Sequence, residues 1–221
     1  MKKMRPAITL FAVLVLPVLI FLFLQTGTHV VKPLKIISPI ITNPNNSSDS
    51  VYKVVQDFAF PSQNGDTITL DSFSGAIWVA DVFFTRCEGV CPKLTSALMK
   101  VQRYYRSDPE VKFLSISVDP KNDSIPVLRD YADMHEAIDH KWYMITGEKE
   151  RLYNFAHKEF FFSATADADS TIRFVHDKTL RLVDKEGRFR GKFYDATNPT
   201  EVDSLISHIQ LLKREYAQEK R

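Results

Sequence analysis

Apolar positions along this chain fall into three regimes: an unbroken run, a stretch without period, and a long region of short repeating patterns. The unbroken run extends from Ala7 to Leu24, AITLFAVLVLPVLIFLFL, 18 residues without a charge. A helix of that length measures about 27 Å, close to the hydrocarbon thickness of a bilayer. No polar face interrupts it, which sets it apart from a helix of a soluble core. A cleavable signal would have a shorter run and small residues at its cleavage site, whereas QTGTHVV follows here. The run predicts an uncleaved transmembrane anchor over 7–24, and Pro17 does not forbid a span. From Gln25 to Ser50 neither a helical nor an alternating period is sustained, and KPLKIISPIITNPNNSSDS predicts a flexible tether over 25–50.

Patterning returns at Val51. Phe58-Ala59-Phe60 and Thr67-Ile68-Thr69-Leu70 flank the turn-rich PSQNGD, a hairpin signal. Ala76 to Phe84, AIWVADVFF, is an almost wholly apolar run suited to a buried central strand. Pro92 suits the first turn of a helix, and Leu94, Leu98, Val101 and Tyr105 recur behind it at helical spacing. VKFLSISVD (111–119) predicts a second buried strand. A helix follows from about Pro126 to Met134 with Ser124 as N-cap, then the short strand WYMIT and a helix over Glu148–Phe155. Residues 159–173 give no clear element. Leu180-Arg181-Leu182-Val183 and Arg188 to Phe193 flank the turn DKEG as a hairpin. Pro199 opens a last helix whose Val202, Leu205, Ile206, Ile209 and Leu212 form one core-facing stripe. Strands alternating with helices, then a hairpin and a helix, predict an α/β sandwich with a mixed sheet over 51–214, followed by a polar tail at 215–221.

Charge adds an orientation and excludes one partner class. Lys2, Lys3 and Arg5 in the basic end, 1–6, should stay in the cytoplasm and send the remainder outside. Disulfides persist in that compartment. The net charge of +2, from 29 basic and 27 acidic residues, lacks the basic excess of a nucleic-acid binder.

Both cysteines of the chain lie in FFTRCEGVCPKLT, residues 83–95. Three readings compete: a structural clip, a redox couple and a metal site. A Cys87–Cys91 disulfide closes so short a loop that the entropy relation gives it about 2 kcal/mol, against about 4.7 for a 100-residue loop. As a staple the pair is badly placed. It falls instead where a buried strand ends and a helix begins, the edge that ligands favour in open α/β sheets. A helix N-terminus and Arg86 both favour a thiolate there, while Glu88 opposes it. Gly89 lets the intervening loop bend. Two soft thiolates suit copper(I) better than structural zinc, which takes four protein ligands. The six histidines offer a third ligand. His29 lies in the tether and His208 in the last helix, and His135, His140 and His157 lie in polar surroundings that read as surface. His176, in FVHDKTLRLVD, immediately precedes a predicted strand, in a loop able to reach the cysteine edge. Position alone leaves ligand and surface histidine equally open.

Four segments, in this order, carry a resemblance: DFAFPSQNGDTITLDSFSG, VADVFFTRCEGVCPKLTSAL, FLSISVDPKNDSIPVLRDYA and FVHDKTLRLVDKEGRFRGKF. Over about residues 52–212 the chain resembles the Sco (SenC/PrrC-type) family of membrane-anchored, thioredoxin-like proteins. The resemblance implies a thioredoxin-like sandwich with an added β-hairpin. It implies Cys87 and Cys91 as thiolate ligands, or as a disulfide when oxidised, and His176 as the imidazole ligand of copper, as copper(I) or copper(II). The implied partner is the cytochrome c oxidase subunit with the dinuclear copper centre, or another cuproprotein. The implied location is the cytoplasmic membrane, with the C-terminal domain facing the periplasm or extracytoplasmic space. Glu88-Gly89 departs from the Pro-Asp of many members and bears on metal preference and redox poise. No conventional enzyme is implied. A thiol–disulfide oxidoreductase, with Cys87 attacking and Cys91 resolving, and a redox or copper sensor are the alternative functions.

Overall fold

A computed structural model describes residues 4–25, 33–43, 46–162 and 177–219, in two units that divide between Lys32 and Pro33. The first unit contains α1 (Met4–Gln25), which takes in the whole apolar run and Pro17. Side chains of α1 are described for residues 11–23, and among the residues so described no helix is long and apolar enough to cross a membrane.

The second unit is built on a five-stranded sheet. Its central strand is β5 (Ile77–Phe83), buried along its whole length as its apolar run requires. On one side β5 pairs in parallel with β6 (Val111–Ser117), which pairs in parallel with β7 (Trp142–Ile145). On the other side β8 (Thr179–Val183) runs antiparallel to β5, and β9 (Phe189–Asp195) antiparallel to β8. The mixed order β7-β6-β5-β8-β9 is the sheet expected of a thioredoxin-like sandwich with a terminal hairpin. The DKEG turn closes that hairpin with Gly187 at φ 77, a left-handed conformation that glycine adopts without Cβ strain.

Alternation along β5 sends Ile77, Val79 and Phe83 to one face, where they meet α2 (Cys91–Tyr104), α3 (Ile125–Met134) and α5 (Pro199–Glu219). Trp78, Ala80 and Val82 enter the opposite core with α4 (Lys149–Phe160), the 3-10 turn Leu70–Phe73, and the hairpin of β3 (Ala59–Pro61) and β4 (Thr67–Thr69). That second core is dominated by aromatic rings. Phe58, Phe60 and Phe155 stand in mutual ring contact at 4.6–6.3 Å, and Phe160 meets Phe155 at 5.2 Å. Helix α4 runs on past Phe155 because Leu152, Phe155, Ala156 and Phe160 keep one buried face. The Glu148 carboxylate caps its start by accepting from the N–H groups of Glu150 and Arg151, both at 2.8 Å.

Both edges of the sheet are covered. At β7, Ser62 bridges to Ile145, and the Gln63 side chain imitates a strand. Its Oε1 accepts from Met144 N at 2.7 Å and its Nε2 donates to the Trp142 carbonyl at 2.8 Å. At β9 the covering segment is residues 33–39. Ile36 bridges to Arg190, Ile37 N donates to the Phe189 carbonyl at 2.8 Å, and Gly191 N donates to the Lys35 carbonyl at 2.7 Å. Leu34 and Ser38 are buried. The tether expected over 25–50 therefore does not extend through 33–39. Beyond it, β1 (Ile40–Asn43) and β2 (Asn46–Tyr52) form a two-stranded antiparallel pair. Backbone hydrogen bonds hold this segment in place, and they leave no hydrophobic period for a sequence reading to detect.

Candidate metal and redox site

Strand β5 ends at Phe83 and α2 starts at Cys91, so the intervening turn sits at the carboxyl edge of the parallel strands. Asp123 fixes the start of that turn. It accepts at Oδ1 from Thr85 N (3.2 Å) and Thr85 Oγ1 (2.6 Å), and at Oδ2 from Ser117 Oγ (2.6 Å). Burial pushes its carboxyl above the ordinary aspartate value, against the pull of the two hydroxyls. Asp119 secures the outer side, accepting from Arg86 Nη2 at 3.1 Å and from Asn122 Nδ2 at 2.9 Å. The SVDPKND segment is thus the brace of the cysteine turn. Sequence reading found the segment but gave its aspartates no role.

Within the turn the two cysteines come together as free thiols, with Cys91 N directed at Cys87 Sγ across 3.5 Å. Their environments differ. Burial acts to raise the Cys87 pKa, but the Cys91 thiol and the N–H groups of Cys91, Gly89 and Val90 outweigh it, so Cys87 lies below an ordinary thiol. Cys91 is pushed far up, first by burial, then by its hydrogen bond to Cys87 and the nearby charge of Asp81. The amides at the helix start therefore lower Cys87, while Arg86, expected to share that role, is engaged by Asp119. Gly89 does not use the left-handed region, and a Cβ there would stand 3.9 Å from Cys87 Sγ, an ordinary contact. The turn bends without needing glycine.

Cys87 also borders a cavity of about 340 Å³ shared with Pro92, with Val127, Tyr131 and Met134 of α3 and with His135, which follows it. His135, read from sequence as a surface residue, is half-buried on this wall. Beneath Cys91 lies Asp81, 1% exposed, which accepts from Ser115 Oγ at 2.6 Å, and that hydroxyl accepts in turn from Trp142 Nε1 at 2.9 Å. Burial pushes the Asp81 pKa up to about 7.

His176 lies outside the described residues. Among those that are described, no three of His, Cys, Asp and Glu gather in a way that could hold a metal ion. The residues flanking 163–176 are tied to each other by Arg181, which is 2% exposed. It donates Nε to the Phe160 carbonyl at 3.0 Å, Nη2 to Asp177 at 2.8 Å and Nη1 to Thr179 Oγ1. Its guanidinium lies over the rings of Phe162 and Phe193, 4.4 and 3.7 Å from their centroids. A charge at an inward position of LRLV was the sequence signal for this residue, and the hairpin reading passed over it.

The SCO1/SenC family model matches residues 46–210. A relative in Bacillus subtilis (strain 168), the SCO1 protein homolog, is 29% identical over 158 residues, covering 71% of this chain and 81% of its own. Among solved structures, the chain is similar to BsSco, a member of the Sco family of cytochrome c oxidase assembly proteins in which a disulfide switch has been identified. That similarity has a TM-score of 0.64 at 26% identity, covering 82% of this chain and 98% of BsSco. It also shares the fold of copper-bound ScoI from Arabidopsis thaliana, with a TM-score of 0.58 at 22% identity, covering 73% of this chain and 99% of that one.

Proposed function

This chain belongs to the SCO1/SenC family, and on that premise we propose that it is a copper-binding assembly factor serving cytochrome c oxidase. Copper is its cargo, held by the thiolates of Cys87 and Cys91 and the imidazole of His176, and delivered to the dinuclear copper centre or to another cuproprotein. One observation carries the reading: two sulfur donors meet at a braced turn, and one of them borders an accessible cavity. Two thiolates satisfy copper(I), and imidazole extends the set toward copper(II). In support of His176, β8 pairs antiparallel with β5, Ala80 opposite Arg181. The chain entering β8 and the chain leaving β5 therefore lie at the same end of the sheet. The apolar run 7–24 supports a single membrane anchor, with this domain outside the cytoplasm.

Titration of the reduced full-length protein with copper(I) against a competing chelator tests this. Cys87→Ser or Cys91→Ser should each abolish the tight equivalent, because a hydroxyl is a poor substitute for a thiolate. Tight binding that survives both substitutions would remove the cysteine pair from the site.

The opposed shifts of the two thiols favour a second reading, reduction of a partner's disulfide. The Cys87 thiolate would attack one partner sulfur and expel the other as thiolate. Cys91 would then attack Cys87 and expel the second partner sulfur, leaving a Cys87–Cys91 disulfide and a partner reduced by two electrons. Thiol counting after mild oxidation tests this reading, which fails if both free thiols survive.

A further inference from the structure

The cavity beside Cys87 holds two soft-metal donors that the copper reading leaves unused. Met134 is the last residue of α3 and 75% exposed, so packing does not account for it. His135 follows as the C-cap residue. Its ring lies 4.3 Å from that of Tyr131, which is held by Thr95 Oγ1 at 2.7 Å and by ring contact with Phe83 at 5.4 Å. That series of contacts fixes the imidazole on the wall that faces Cys87. Thioether and imidazole are both donors that copper accepts. Asp130, on the same wall, places a carboxylate where it attracts a cation.

We propose that Met134 and His135 form an entry site that holds copper(I) at the mouth of this cavity and passes it to Cys87. The inference rests on the copper reading of the cysteine pair. Transfer is ligand exchange without electron movement. A sulfur–copper bond to Cys87 forms as the bond to Met134 breaks, Cys91 then replaces His135, and each incoming thiol releases its proton to solvent.

The test uses the reduced full-length protein in detergent, with copper(I) supplied anaerobically from a weak chelator. The wild type should take up a tight equivalent and a weaker second one. Cys87→Ser/Cys91→Ser protein should keep only the weaker, and adding Met134→Leu and His135→Phe should lower its affinity at least about tenfold. The phenyl ring retains the contact with Tyr131, so the fold should survive, and circular dichroism checks this. With the cysteines intact, Met134→Leu/His135→Phe should keep tight binding but load several-fold more slowly. The entry site is overturned if the cysteine-free protein binds no copper(I), or binds it equally well without Met134 and His135. Failure of the tight equivalent alone would count against the cysteine reading, and the weak site would still be measured separately.

Discussion

Two aspartates are buried in the same sheet, and the fold treats them oppositely. The Asp184 carboxylate, fully buried at the β8–β9 turn, accepts four hydrogen bonds from three residues. Its Oδ1 accepts from Glu186 N (3.1 Å) and Arg188 N (2.8 Å), and its Oδ2 from Arg188 Nε and Arg190 Nη1, both at 2.9 Å. Arg190, itself 1% exposed, continues to the Leu34 carbonyl and to Glu215 of α5. Asp81 has the Ser115 hydroxyl, and the charged group that acts on it, Asp177, is itself acidic. Where the sheet binds its edge segment and last helix, negative charge is neutralised. Below the cysteines it is left able to take up a proton near neutral pH. An ionised Asp81 disfavours a Cys91 thiolate, so protonation of one group eases ionisation of the other.

The strongest test of this contrast is Asp184→Ala. It would take from buried Arg190 one of its two carboxylates, Glu215 being the other, and leave the N–H groups of Glu186 and Arg188 without their acceptor, and unfolding in urea should show a loss of about 3–5 kcal/mol. Asp81→Asn should act in the other direction. The folded carboxyl binds its proton up to about pH 7 while the unfolded one releases it near 3.8, so the folded state holds more protons between these values. Wild-type stability therefore falls as pH rises from about 4 to 7 and is level above that, as far as this group decides it. The asparagine variant lacks this slope and should be more stable than wild type at pH 8, by roughly 2–4 kcal/mol, with little difference at pH 4. Equal stability at both pH values would mean that Asp81 is not held in the neutral form.

A chain beginning at Val51 should lose stability by about 1–3 kcal/mol relative to one beginning at Pro33, because Arg190 loses its Leu34 acceptor and β9 its covering segment. Thermal unfolding of the two chains measures this. The smallest effect is expected at Arg86. The Arg86→Ala variant should leave the pH profile of Cys87 alkylation nearly unchanged, since the guanidinium is paired with Asp119 and largely exposed. A marked rise in the Cys87 titration midpoint would restore the role that charge pattern alone assigns to Arg86.

What sequence revealed and what it concealed follow from the same physics. Strands β5 and β6 are buried on both faces and so read as apolar runs, while α2 and α5 show their periodic stripes. The cysteine pair was legible because strand end and helix start are both marked, the latter by Pro92. Asp81 was concealed within AIWVADVFF, where its partner Ser115 is 34 residues away in the chain. Arg181 and the aspartates of SVDPKND act through long-range hydrogen bonds, which leave no period. His135 read as surface because the cavity it lines is made from two elements brought together only by folding.

The central claim is that His176 completes a copper set with Cys87 and Cys91. Copper(II) titration of the reduced protein, followed by thiolate-to-copper charge-transfer absorption, tests it most directly, with His140→Ala as the exposed control. His176→Ala should shift and weaken the charge-transfer bands and lower copper(II) affinity, while copper(I) affinity stays within a few-fold of wild type. If His176→Ala and His140→Ala give the same spectra and affinities as the unaltered protein, His176 is not a ligand and the account fails at its centre.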